Sequence, residues 1–283
     1  MTPAPVRRST RLLVVGRGAG DLTDEVDARL RDEFSRYPVV DFHSRRDFRS
    51  RITSGATVVV AGGDGTVGSV ARALAGSRRK LAIVPLGTYN NFARGLGIPE
   101  DLDEAIAVVR AGRTRPVTLG LINGRPFLEA AAIGMFGEAI VLGEKAKDHS
   151  FGELGRELRA VAAAARFEYT ISGDIAGRGR ARSLVVTNTP SIGARLPVGR
   201  TRPAEPCLEL SVGVGASRSD IVGRVLASAI AGRHVESDGM SLRFTSLTIR
   251  TTPRVSVFAD NTRSGRTPVT VTADPGALHV IVP

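Results

Sequence analysis

Residues 58–94 read VVVAGGDGTVGSVARALAGSRRKLAIVPLGTYNNFAR, and this stretch decides the fold. Val58, Val59 and Val60 form an apolar, β-branched run of the kind that builds a strand buried on both faces. The run stops at Gly62-Gly63-Asp64-Gly65-Thr66. Val67, Val70, Ala71 and Leu74 then fall on one face of a helix. A second buried strand over 81–84 breaks at Pro85 into Gly87-Thr88-Tyr89-Asn90-Asn91. Strand, helix and strand in this order predict a parallel sheet. Both polar loops then lie at its carboxyl edge, where ligands of such sheets bind.

The first loop suits phosphate. Glycines let backbone approach a ligand closely. Successive N–H groups form an anion nest, and the helix that follows adds its positive end. Asp64 repels phosphate unless a cation lies between them. It therefore points to Mg²⁺ bridging, or to a carboxylate that takes a proton from an attacking hydroxyl. The same residues also fit a plain helix start, with Asp64 or Thr66 as cap. In the second loop Thr88, Asn90 and Asn91 carry hydroxyl and amide groups that can hold a nucleotide's phosphates, ribose or base.

GGDGT at 62–66, PLGTYNNFAR at 85–94 and GLGIP at 95–99 together resemble the catalytic domain of the diacylglycerol kinase family. That family includes bacterial lipid kinases and is similar to sphingosine kinases. NAD kinases share the GGDG turn more distantly. The resemblance implies a Rossmann-like α/β nucleotide-binding domain over 1–117, with the strand segment at about 270–283 returning to it. It also implies a sandwich-like, mainly β acceptor domain over 118–269. Under it, Gly62, Gly63, Asp64, Gly65, Thr66, Val67 and Gly68 cradle ATP together with Gly87 and Thr88, and Asn90 and Asn91 shape that loop. Mg²⁺ bridges the phosphates through Asp64, and Asp64 or Asp260 accepts the hydroxyl proton of a diacylglycerol-like or sphingoid lipid.

Outward from this stretch, 11–15 reads as a first strand, and Gly16-Arg17-Gly18-Ala19-Gly20 follows it. Family members usually carry Asn-Pro-x-Ser-Gly in that loop, touching ATP phosphates. Here Gly16 and Gly18 offer backbone instead. GRGAG is also half of a dinucleotide fingerprint, but Asp21 stands where its third glycine belongs, although Asp41 lies at a suitable distance.

Beyond residue 117 the pattern changes. Asn123-Gly124 between apolar runs signals a hairpin. Strands are expected over 127–131, 167–172, 183–188 and 208–214, with helices over 153–165 and 220–231. This half reads as mainly β. Two departures from the family matter. An Asp-Gly-Glu motif is expected before the final strands, but the chain has Asp260-Asn261-Thr262, and threonine takes no proton at neutral pH. An Asp-rich stretch tied to a structural Mg²⁺ becomes PAEPCLE at 203–209, where Glu205 and Glu209 are the remaining metal candidates. These losses support a second reading, a degenerate relative that binds nucleotide or lipid without turnover. A third is a kinase of NAD or another soluble hydroxyl compound.

The chain has 283 residues and a formal net charge of +11. Only three of its 39 basic residues are lysines, Lys80, Lys145 and Lys147. Such charge suits phosphates and anionic lipid surfaces. Aromatic–basic interleaving, helix-turn-helix spacing and zinc-finger spacing are lacking, so nucleic acid is not the expected partner. A single cysteine, Cys207, allows no internal disulfide and fits a reducing cytosol. No run approaches a membrane span. The expected setting is therefore cytoplasmic, peripheral to the inner face of the membrane, and a homodimer is left open. His43, His149, His234 and His279 show no metal spacing.

Overall fold

The computed structural model describes residues 11–43, 56–138, 166–193, 195–212, 240–260 and 262–283. The helices expected over 153–165 and 220–231 lie outside these residues. The chain divides into two compact units, residues 1–117 with 276–283, and residues 118–275.

The first unit opens with β1 (Arg11–Gly16), α1 (Asp24–Glu33), β2 (Val39–Phe42) and β3 (Thr57–Gly62). It continues with α2 (Asp64–Leu74), β4 (Lys80–Pro85), α3 (Asn91–Gly95) and α4 (Leu102–Ala111). β5 (Thr114–Ile122) leads out of it. β2, β1, β3 and β4 lie side by side, all parallel, with Val14 opposite Val40 and Val60, and Val60 opposite Ile83. The β-branched runs are buried from end to end in β3 and β4, apart from their first residues. A parallel sheet covered on both faces demands this. One face carries Leu13, Val15, Val59, Ala61, Ala82 and Val84, packed with Leu30 and Phe34 of the α1 region and Ala105, Ile106 and Val109 of α4.

α2 buries Val67, Val70, Ala71 and Leu74, the stripe its sequence spacing predicts. Burial of each larger side chain contributes roughly 1.5–3 kcal/mol. The helix is aimed so that its first turn, Asp64-Gly65-Thr66, directly follows the carboxyl end of β3.

The second unit holds β6 (Arg125–Phe127), β7 (Ala130–Gly134), β8 (Phe167–Gly173), β9 (Gly177–Ala181) and β10 (Ser183–Thr187). The short β11 (Ser191–Ile192) and β12 (Leu196–Pro197) pair with each other, and β13 (Leu208–Val212) and β14 (Met240–Phe244) follow. β15 (Ser246–Thr252), β16 (Ser256–Ala259), β17 (Thr262–Arg266) and β18 (Val269–Ile281) complete it. One sheet runs β14-β13-β10-β7-β16-β17. A second layer contains β18, β15, β8 and β9, joined by antiparallel ladders. Ala131, Ile133, Leu184, Val186, Leu208, Leu210 and Val257 of the first sheet pack against Phe167, Ile171, Leu247, Ile249, Val269 and Val271 of the second. This is a β-sandwich, with alternate residues turned inward along each strand. The Asn123-Gly124 turn is a hairpin, with both residues at positive φ and Ile122 opposite Arg125.

β18 serves both units. Val269–Thr272 pairs antiparallel with β15, and after Pro275 and Gly276 (φ +75°) His279 and Val280 pair parallel with Lys80 and Leu81 of β4. β18 runs unbroken through Asp274-Pro275-Gly276.

Candidate functional site

Three loops leave the carboxyl ends of β1, β3 and β4, and the structure brings them together. A Cβ on Gly16 would lie 2.5 Å from the Thr66 hydroxyl, and one on Gly62 would lie 3.0 Å from the Thr66 Cβ. Thr66 thus fills the space between the first two loops. A Cβ on Gly87 would lie 2.5 Å from the Gly63 Cα, so the second and third loops touch through backbone. The Asp21 amide donates to the Leu86 carbonyl at 3.1 Å, and Leu86 donates to the Gly62 carbonyl at 3.1 Å. These contacts explain Gly16, Gly62, Gly63 and Gly87 by close packing. Gly18 and Gly65 differ: nothing lies within 4 Å of where a side chain would begin, so both border open space.

The α2 N-terminus lies where these loops converge. Its cap residue is Gly63, which has no side chain of its own to cap the helix. The Gly63 carbonyl accepts the Thr66 and Val67 amides at 3.0 Å each, and the helix end carries its partial positive charge at this point. Asp64 is half-buried at the first helical position. Val67 and Gly68 sit deeper: Val67 packs in the core, and Gly68 is buried beside the Arg72 guanidinium.

In the third loop the two asparagines are buried, Asn90 at 4% exposure and Asn91 at 1%. Asn90 sits at φ 49° and clamps its own loop. Its Oδ1 accepts the Gly87 amide at 2.9 Å, and its Nδ2 donates to the Gly87 carbonyl at 2.6 Å. This is a shaping role. Thr88 is exposed, with its hydroxyl 3.4 Å from the start of a side chain on Gly20.

Asp260 lies in the second unit, at φ 43° in the turn between β16 and β17. Its two oxygens accept the Leu128 and Glu129 amides at 2.8 and 2.9 Å. It lines a niche of about 20 Å³ with Glu129, Ala130, Ala132, Gly137, Ile192 and Phe258. That volume suits one water or one hydroxyl. Thr262 is exposed, does not line the niche, and turns its hydroxyl toward the Asp260 carbonyl, 3.5 Å away. Glu129 is a residue the sequence reading passed over. It falls within the strand expected over 127–131, which the structure breaks between β6 and β7, and its place beside Asp260 depends on partners more than a hundred residues apart in sequence.

Glu205 accepts the Arg202 amide at 3.2 Å and pairs with Arg243 at 2.8 Å. Glu209 is buried, and one oxygen accepts the Arg200 amide, the Thr201 amide and the Thr201 hydroxyl at 2.6, 2.8 and 2.9 Å. The other accepts the Ser241 hydroxyl. Burial alone would push this carboxyl up. The bonds from Ser241, Arg200 and Thr201 outweigh it and hold the group below its ordinary value. Among the described residues no group of three His, Cys, Asp or Glu side chains is arranged to hold a metal ion.

A parallel-sheet α/β unit followed in sequence by a β-sandwich defines the fold class. Residues 16–122 match the diacylglycerol kinase catalytic domain, and residues 148–282 match the YegS C-terminal NAD kinase beta sandwich-like domain. The chain belongs to the diacylglycerol kinase-like family. It is 46% identical over 104 residues to a protein of Pseudomonas aeruginosa named probable lipid kinase YegS-like, covering 35% of this chain and 33% of that one. It is 43% identical over 84 residues to a diacylglycerol kinase of Bacillus subtilis, covering 29% of this chain and 28% of that one. These matches span about a third of the relatives' length or less. A diacylglycerol kinase structure from Bacillus anthracis superposes with a TM-score of 0.71 over 96% of each chain, at 22% identity. An NAD kinase from Archaeoglobus fulgidus in complex with ATP gives 0.52 over 95% of this chain and 92% of that one, at 14% identity. Both likenesses show the fold alone.

Proposed function

We propose that this chain is an ATP-dependent lipid kinase that transfers the γ-phosphate to a hydroxyl of a diacylglycerol-like or sphingoid lipid. The observation that carries the reading is the convergence of three glycine loops on the α2 N-terminus, whose N-cap is Gly63. Phosphoryl transfer asks mainly for positioning and charge stabilisation, and such a cradle supplies both. In this reading the backbone of Gly63, Asp64 and Gly65, with Thr88, binds the phosphates. Asp64 holds the Mg²⁺ that travels with them. The niche beside Asp260 and Glu129 receives the acceptor hydroxyl. The net charge of +11 favours peripheral work on anionic bilayers.

The test is transfer from γ-labelled ATP, with Mg²⁺, to a total lipid extract in mixed micelles. A labelled lipid is expected with the wild type and none with Asp64→Ala. Turnover in Asp64→Ala equal to wild type would sink the assignment.

One observation favours the binding-only reading. Asp260 spends both oxygens on backbone amides, and Thr262 offers no acid in place of the family glutamate. Tight ATP binding with no label in any lipid, by protein that folds normally, is the result that reading expects. Label on a soluble hydroxyl compound in detergent-free buffer would support the NAD-kinase-like alternative.

A further inference from the structure

The loop after β1 carries one long charged side chain, Arg17, and its position is over-determined. The Ala19 amide donates to the Gly16 carbonyl at 3.1 Å, closing a tight turn around Arg17. Gly16 is pinned against Thr66 of α2. Arg17 is therefore anchored one residue from the first turn of the phosphate cradle. Open space borders the next residue, Gly18.

The guanidinium is parked on two carboxylates. Its Nη1 donates to Asp27 at 2.8 Å, its Nε donates to Asp41 at 2.8 Å, and its Nη2 also donates to Asp41. Arg31 already serves the same two acids: its Nε donates to Asp27 at 3.1 Å and its Nη2 to Asp41 at 2.9 Å. One oxygen of Asp41 thus takes bonds from both arginines. Removal of Arg17 would leave each aspartate with a cationic partner.

We propose that Arg17 is a nucleotide-phosphate ligand held in reserve, which leaves Asp27 and Asp41 for the phosphates of bound ATP while Arg31 keeps the two acids paired. The inference rests on the nucleotide-binding reading above. Arg17 and Asp41 keep 31% and 42% of their side-chain surface exposed, and ion pairs of that exposure contribute little, whereas Asp27 keeps only 19% and is the firmer of the two partners. A guanidinium on phosphate makes two parallel charge-assisted bonds. The same pairing gives Asp41 a role in a chain that lacks the third glycine of the dinucleotide fingerprint. Asp41 is the dock for the resting arginine.

The experiment is a calorimetric titration of the full chain with MgATP, MgADP and adenosine. Arg17→Ala is expected to weaken MgATP on the order of 10- to 100-fold, MgADP less, and adenosine under about 2-fold. Asp41→Asn is expected to tighten MgATP by about 2- to 5-fold, because the resting competitor is weakened. A purely structural clamp would not tighten anything. Arg17→Ala binding MgATP like wild type overturns the proposal, and so does Asp41→Asn binding no more tightly. Wild-type protein that binds neither ATP nor ADP overturns the nucleotide reading itself, and this inference with it.

Discussion

Gly63 and Gly87 meet so closely that a single added carbon on Gly87 would stand 2.5 Å from the Gly63 Cα and 2.9 Å from the Asn90 Oδ1. Neither glycine is needed for positive φ, since Gly63 has φ −85° and Gly87 is absent from the left-handed set. The contact is one of backbone against backbone, and it welds two loops into one floor.

Gly87→Ala should force these loops apart. Overpacking of this kind costs about 1–3 kcal/mol. Thermal unfolding and an MgATP titration should both show losses. Gly18→Ala, placed beside open space, should leave the unfolding free energy unchanged within about 0.5 kcal/mol.

Gly65→Ala should separate stability from function. The site is helical and has room, so alanine gains up to about 1 kcal/mol over glycine. The new methyl would stand where phosphate approaches the α2 amides. A higher melting temperature with weaker MgATP binding is the expected pair of results, and unchanged affinity would remove Gly65 from the cradle.

Asn90→Ala removes both bonds that close the third loop and leaves a non-glycine residue at φ 49° without its clamp. A loss of about 1–3 kcal/mol is expected. Asn90→Gly should recover part of it, because glycine tolerates that φ. Chemical denaturation of the three proteins gives the comparison.

Glu209 should make the second unit acid-sensitive. Its carboxyl lies below the ordinary value of 4.5 in the folded chain. Stability from it is therefore complete above that value and is lost as pH falls through the folded one. Between about pH 6 and about pH 3 the wild type should lose more stability than Glu209→Gln, whose side chain does not titrate. Equal slopes in pH-dependent urea unfolding would contradict this.

Thr262→Glu tests whether the missing acid limits turnover. A restored base should raise transfer by about 10²- to 10⁴-fold if chemistry is rate-limiting. Because Thr262 is exposed, the substitution should leave the melting temperature nearly unchanged. The same assay on Glu129→Gln, expected to lower transfer, reports whether the niche's second carboxylate already does part of that work.

The fold was legible where sequence pattern and burial share a cause. The valine run of β3 and the stripe of α2 are forced by a sheet covered on both faces, and Asn123-Gly124 marked a hairpin in a mainly β half, while the sandwich itself came from the family resemblance. Loop contacts were less legible. Nothing local marks Gly63 and Gly87 as neighbours or sets Arg17 on Asp41, because both relationships join segments brought together only by the sheet. Asp260 was found as a residue, but not its grip on the Leu128 and Glu129 amides, which depends on a turn meeting a strand start far upstream. Glu129 went unread for the same reason.

β18 carries a consequence for biosynthesis. The sheet of the first unit gains its last pairing, His279 with Lys80 and Val280 with Leu81, from residues at the very end of the described chain. The Gly76 amide waits for the Ala277 carbonyl, and the Arg113 carbonyl for the Val282 amide. During translation the first unit is thus completed only after residues 118–275 have been made. Until residues 276–283 follow, β4 presents an unpaired edge, the kind of surface on which nascent chains stick to one another.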